Sequence, residues 1–270
     1  MQPNKISSVS NPRLKAWIQL YKGNQRGRQD HFLVEGYLEC SRGMNSGFEL
    51  LGLMFCPEII DPILLSNLLQ NIGTHVQVFD LDKKVYAKLA YRDDTQGVMA
   101  LFKKSEMTLS DFRVRQDKTP LFLILENVEK PGNLGAVLRT ADAVNASGVI
   151  LTGKTGTDQF NPNVIRASIG TVFSVPVVYA EENLVLHWLH EQKIRSFAAA
   201  LPAYTDLYAL NLTQPAAMIF GNENQGLSDF WIQQADVVFT LPMLGKADSL
   251  NVSVSVAVSA FEYLRQFRLL

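Results

Sequence analysis

The feature that most restricts what this chain can fold into is a series of six short apolar runs in its second half, at residues 121–125, 148–151, 175–178, 194–200, 216–220 and 236–240. Helix-length stretches separate most of them. Strands so continuously apolar are buried on both faces, and parallel strands need crossover helices, so the pattern predicts an α/β domain whose parallel sheet is covered on both sides. Ligands of such sheets are held by the loops beyond the carboxyl ends of the strands. Functional residues are therefore expected directly after the strands.

A smaller alternation fills the first hundred residues. Asn11-Pro12 reads as an N-cap followed by proline at the first helical position, which predicts a helix through Leu14, Trp17, Ile18 and Tyr21 that Gly23 stops. Apolar runs at 31–35, 50–55, 76–79 and 98–102 predict strands, separated by helices around Leu38, 63–69 and 81–89. The stretch 103–120 is more charged, loses periodicity and ends in proline. A linker is accordingly placed at 106–119, between a first α/β domain at 1–105 and a second at 120–270. The final segment, 249–270, alternates like a strand in NVSVSVAV, yet Val254, Val258, Phe261 and Leu264 fit helical spacing. Its length favours a helix that is apolar on more than one side and packs against other helices or a partner subunit.

With 270 residues, 47% of them hydrophobic, there is ample material for two packed cores. No run of 18 apolar residues occurs, and the polar, basic start has no apolar segment behind it, so a soluble cytoplasmic protein with no membrane partner is expected. Cys40 and Cys56 stand among core-type residues without CxxC spacing or nearby histidines, so neither a disulfide framework nor a metal site is expected. A net charge of −1 gives no global sign of nucleic-acid binding. Locally, Lys5, Arg13, Lys15, Lys22, Arg26 and Arg28 face a single acid, Asp30, which suits a segment lying near phosphates. Alone, a solvated terminal helix and loop is the plainer reading.

Three loops follow strands of the second half. The first, ENVEKPGNLGAVLRTA at 126–141, joins turn chemistry at Pro131-Gly132-Asn133 to a helix that Asn133 is expected to cap, with Arg139 on its second turn between small neighbours. The second, GNENQGL at 221–227, has two glycines and two asparagines that let backbone amides approach a ligand, with Glu223 among them. The third, LPMLGKADSLNVS at 241–253, presents Ser249 as a cap for the terminal helix and Asn251 in its first turn. Each has a bland alternative: an arginine on an exposed face, an acid in a surface turn, two capping residues. Neither GxGxxG nor GxxxxGK[ST] occurs, which argues against a nicotinamide or nucleotide-triphosphate enzyme.

In the same order and within one domain, the three loops resemble the three signature motifs of the SpoU/TrmH family of RNA ribose 2′-O-methyltransferases. SNPRLKAWIQL, HFLVEG and TQGVMALF in the first domain look like that family's RNA-recognition module. The resemblance implies a knotted α/β catalytic domain with a deep trefoil knot, one of the rare exceptions to unknotted folds. It also implies S-adenosylmethionine as cofactor, held largely by backbone groups at positions matching Gly221, Leu241 and Leu250. The family's catalytic arginine matches Arg139, with Asn133, Glu223, Ser249 and Asn251 as its helpers. A homodimer acting on RNA without a metal is implied, with ribosomal RNA favoured over transfer RNA. The alternatives within the fold are a transfer-RNA enzyme and a catalytically silent RNA-binding member. Asn145, Asn224 and Ser255 depart from frequent family residues without touching the proposed chemistry.

Overall fold

The computed structural model describes residues 3–91, 96–105, 107–114 and 117–268. The chain packs as two units, Met1–Glu106 with Phe160–Ser174, and Met107–Gln159 with Val175–Leu270.

The first unit runs β1 (Asn4–Ile6), α1 (Pro12–Gln19), α2 (Gly23–Arg26), β2 (His31–Glu35), α3 (Tyr37–Asn45), β3 (Leu50–Phe55), α4 (Pro62–Gln70), β4 (Gln77–Leu81), α5 (Lys83–Leu89) and β5 (Val98–Lys103). Its five-stranded sheet has the order β1-β4-β3-β5-β2, with β5 antiparallel to both neighbours and the other pairs parallel. Asn11 caps α1 by accepting the Arg13 N–H at 2.9 Å, and Pro12 opens the helix. Gly23 does not stop this helix, which ends at Gln19; it opens α2 instead. The three-residue β1 is too short to give a periodic signal.

The basic N-terminal segment divides on inspection. Arg26 is buried, and its Nη1 donates to the carbonyls of Leu20 and Tyr21, closing the turn between α1 and α2. Lys5 pairs with Asp82 at 3.5 Å, and the Arg13 guanidinium lies 5.2 Å over the Phe79 ring. Lys15, Lys22 and Arg28 are exposed.

The second half of the chain runs β6 (Thr119–Glu126), α6 (Pro131–Ala143), β7 (Ala146–Thr152), α7 (Pro162–Ala167), β8 (Val177–Tyr179), α8 (Glu182–Gln192), β9 (Arg195–Ala199), β10 (Thr205–Asp206), β11 (Ala216–Phe220), α9 (Asp229–Gln234), β12 (Val237–Thr240) and α10 (Val252–Arg268). Seven strands pair in the order β10-β12-β9-β11-β6-β7-β8, every pair parallel. The chain moves outward through β7 and β8, then crosses to the other side of β6. The switch point therefore lies between β6 and β11, where a parallel sheet leaves a crevice at its carboxyl edge. Both strands are buried at every residue, as their unbroken apolar runs require. Phe122, Ile124, Ala217 and Ile219 share one core with Trp188 of α8 and Trp231 of α9, while α6 packs on α10 and β7, and α10 also on β6 and β11.

Several expectations are corrected. Helix α6 begins at Pro131 with Lys130 as N-cap, so Asn133 lies inside the first turn rather than capping it, and Arg139 falls on the third turn. The terminal segment is a helix, but its cap is Asn251, which accepts the Ser253 N–H at 2.9 Å; Ser249 lies outside it. The stretch read as a linker contributes Phe112 to the second core, in ring contact with Phe122 and Trp188. Residues 160–174 pack with the first unit rather than with the rest of 120–270, because Phe160 stacks on Phe32 at 4.1 Å and Phe173 lies 5.9 Å from Phe102. Among the described residues, no helix is long and apolar enough to cross a membrane.

Candidate active site

A cavity of about 320 Å³ opens at the carboxyl ends of β9, β11 and β12. Gly221, Leu241 and Leu250 all line it, as do Glu223 and Ser249, so the second and third loops converge here. Phe220, Phe239 and Met243 supply an apolar wall. Its volume is that of a small-molecule site, and its mix of apolar side chains with loop backbone suits an adenosyl group. Gly221 is the tightest point: a Cβ there would fall on the Gly226 carbonyl and the Leu227 amide. The loop folds back on itself, with the Gly226 N–H donating to the Asn222 carbonyl at 2.8 Å and Gly226 at φ +70°.

The three loops are tied together by amides. Asn133 Nδ2 donates to Glu223 Oε1, and Asn251 Nδ2 donates to Asn133 Oδ1 at 3.2 Å. Asn133 is therefore the hub that joins the first loop to the other two, a role open to it because it does not cap its helix. A second tie escaped the sequence reading. Asn222 Nδ2 donates to the Asn127 carbonyl at 2.9 Å, while Asn127, at φ +53°, accepts the Thr155 N–H at 2.9 Å. The available signal was an asparagine within two residues of the end of each of two strands, a residue type able to combine left-handed backbone, as at Asn127, with side-chain bonding.

Arg139 stands apart. It is exposed, and among the described residues its guanidinium has no partner. Six residues beyond Asn133, it lies roughly 9 Å further along the helix and about 120° around it. The expected grip of Asn133 and Glu223 on this guanidinium is not made within the chain; those two side chains hold each other. Ser249 reaches the cavity but not the amide network. Among the described residues, no group of three or more His, Cys, Asp or Glu side chains is placed to hold a metal ion.

Residues 120–261, more than half of the chain, match the SpoU rRNA Methylase family. The chain belongs to the SpoU rRNA methylase family. Residues 11–100, all within the first unit, match the MRM3-like substrate binding domain. Among SpoU relatives, the chain is 30% identical to an uncharacterized tRNA/rRNA methyltransferase of Synechocystis sp., over 97% of this chain and 93% of that one. It is 26% identical to the 23S rRNA (guanosine(2553)-2′-O)-methyltransferase of Bacillus subtilis, over 95% and 98%. The structure of an AdoMet-bound rRNA methyltransferase from Sinorhizobium meliloti superposes with a TM-score of 0.90 at 27% identity, covering both chains entirely.

Proposed function

We infer that this protein transfers a methyl group from S-adenosylmethionine to a ribose 2′-hydroxyl of structured RNA, with ribosomal RNA as the substrate class. The observation that carries this reading is a cavity lined by the second and third loops, to which the Asn133 side chain ties the first loop through Glu223 and Asn251. When bound, the cofactor supplies an activated methyl group on a sulfonium leaving group, so no metal is needed. Backbone groups at Gly221, Leu241 and Leu250 hold it, and Ser249 shapes the rim toward the ribose.

A ribose hydroxyl is a weak nucleophile, so the site must orient it and assist loss of its proton. Arg139 does the orienting. A guanidinium does not give up its own proton in proteins, so its contribution is positional and electrostatic, toward the ribose and a neighbouring phosphate. Its exposure and lack of a partner leave the planar fork free for such a ligand. In the first unit, Lys15, Lys22 and Arg28 offer charges for phosphate contacts, so the domain at 1–105 serves RNA docking. The catalytic domain carries the deep trefoil knot of its family, which an experimental trace through residues 241–252 tests.

The protein acts as a cytoplasmic homodimer. Val254 and Phe261 of α10 are 45% and 51% exposed and lie two helical turns apart on one stripe, an apolar face suited to a second copy. Phe261→Glu is expected to shift sedimentation from dimer to monomer; a monomeric wild-type protein would remove the proposal. The activity itself is tested by incubating the protein with labelled methyl donor and total RNA, then mapping the label. Label on a ribose of ribosomal RNA is expected. Label on a base, or in transfer RNA alone, would overturn the corresponding part of the reading.

A further inference from the structure

Glu126, the last residue of β6, is only 1% exposed, although burying a carboxyl group is costly unless it is paired. It directly precedes Asn127. Its Oε2 accepts the Ser228 N–H at 2.7 Å, the amide where the 221–227 loop passes into α9. Its Oε1 is buried with no donor among the described residues. A buried acceptor left in this state calls for an explanation.

The explanation lies at the start of α8. There the carboxyl group of Glu182 comes within hydrogen-bonding reach of Glu126. A carboxyl group beside another keeps its proton more readily, and an O–H on Glu182 can donate to Glu126. Burial first, then the Glu126 charge, holds Glu182 above the usual carboxylate range; Glu181 pushes the same way and Lys154 opposes it. The Glu126 side of this pair is enclosed. Thr152 sits opposite Glu126 in the β6–β7 register, and the hydroxyls of Thr152 and Ser228 are buried beside it.

We propose that Glu126 is a positioning residue for methyl-donor binding, which, held by the Glu182 carboxyl, anchors the far end of the 221–227 loop to the end of β6. Gly221 and Glu223 are fixed at one end of that loop by β11 and at the other by this anchor. Because the proposal rests on the cavity being the S-adenosylmethionine site, wild-type binding is the control: no binding by the wild type would remove that reading and not the anchor.

Calorimetry with S-adenosylmethionine between about pH 5 and pH 9 tests the anchor. Glu126→Ala loses a hydrogen bond to a charged group and is expected to weaken binding roughly ten- to a hundredfold, whereas Glu126→Gln, which can still accept from Ser228 and donate to Glu182, restores most of it. The pH dependence has a definite sign. A carboxyl group whose proton is favoured in the assembled site supports binding at low pH and loses that support as the pH rises through its raised pKa. Wild-type affinity should therefore fall toward high pH, and Glu182→Gln, a permanent donor, should hold it level. Glu182 is only half-buried, so this second variant reports even if Glu126→Ala does not fold. Equal affinities for folded Glu126→Ala and wild type, or pH profiles that Glu182→Gln leaves unchanged, would overturn the proposal.

Discussion

Replacing Arg139 with alanine is expected to slow methyl transfer by roughly two to four orders of magnitude while leaving the dissociation constant for S-adenosylmethionine within about twofold of wild type. The separation of the two effects follows from where the residue stands. Arg139 does not line the cavity, and among the described residues it makes no bond whose loss would loosen the loops. At an exposed helical position alanine is at least as favourable as arginine, so the fold should be unaffected. What disappears is a planar, fixed-charge fork, which the proposed mechanism assigns to organising the ribose and its phosphate. Arg139→Lys keeps the charge and loses the fork, so it should fall between wild type and alanine if geometry matters as well as charge. Single-turnover rates with RNA, paired with calorimetry for the cofactor, separate the two quantities. Unchanged transfer by Arg139→Ala would remove this residue from the mechanism.

The same isolation of Arg139 marks a boundary of what a sequence can disclose. Strands were legible because a parallel sheet buried on both faces must be written in unbroken apolar runs, and 216–220 is a strand at those bounds. The cavity was legible because its walls are the loops after strands, which turn residues announce. Side-chain pairing across loops was not. Asn133 was read as a cap because asparagine after Pro-Gly is good capping chemistry, yet the helix starts two residues earlier on Pro131 and turns that amide toward Glu223 and Asn251. Asn251 was read as a first-turn residue and is the cap, so its one side chain both starts α10 and bonds Asn133.

The domain boundary shows the same limit on a larger scale. Residues 160–174 follow β7 in sequence and carry ordinary helix signals, with Asn161 capping and Pro162 opening α7. Nothing local says which core they join. That choice is made by Phe160 and Phe173 meeting the Phe32, Phe48 and Phe102 rings, a long-range complementarity with no periodic trace. Arg26 was misjudged for a related reason: a charge counted toward a basic face is instead directed at two carbonyls six and five residues earlier.

Gly221→Ala should be the most damaging small substitution in the cavity proposed to hold the cofactor. Glycine is required there by proximity: the added methyl would land on the Gly226 carbonyl and the Leu227 amide. These are backbone atoms, so no rotamer change can relieve the clash. The loop would have to open, breaking the Gly226-to-Asn222 bond and displacing Glu223 from Asn133. A forced methyl in a packed place costs about 1–3 kcal/mol of stability. Because the displaced loop also lines the cavity, S-adenosylmethionine affinity is expected to fall more than about tenfold. Gly245→Ala is the matched control, since a methyl at that position meets nothing within 4 Å. Thermal unfolding and calorimetry on both variants decide the matter: the effect should appear at 221 and be absent at 245, and wild-type affinity in Gly221→Ala would mean that the 221–227 loop is not part of the methyl-donor site.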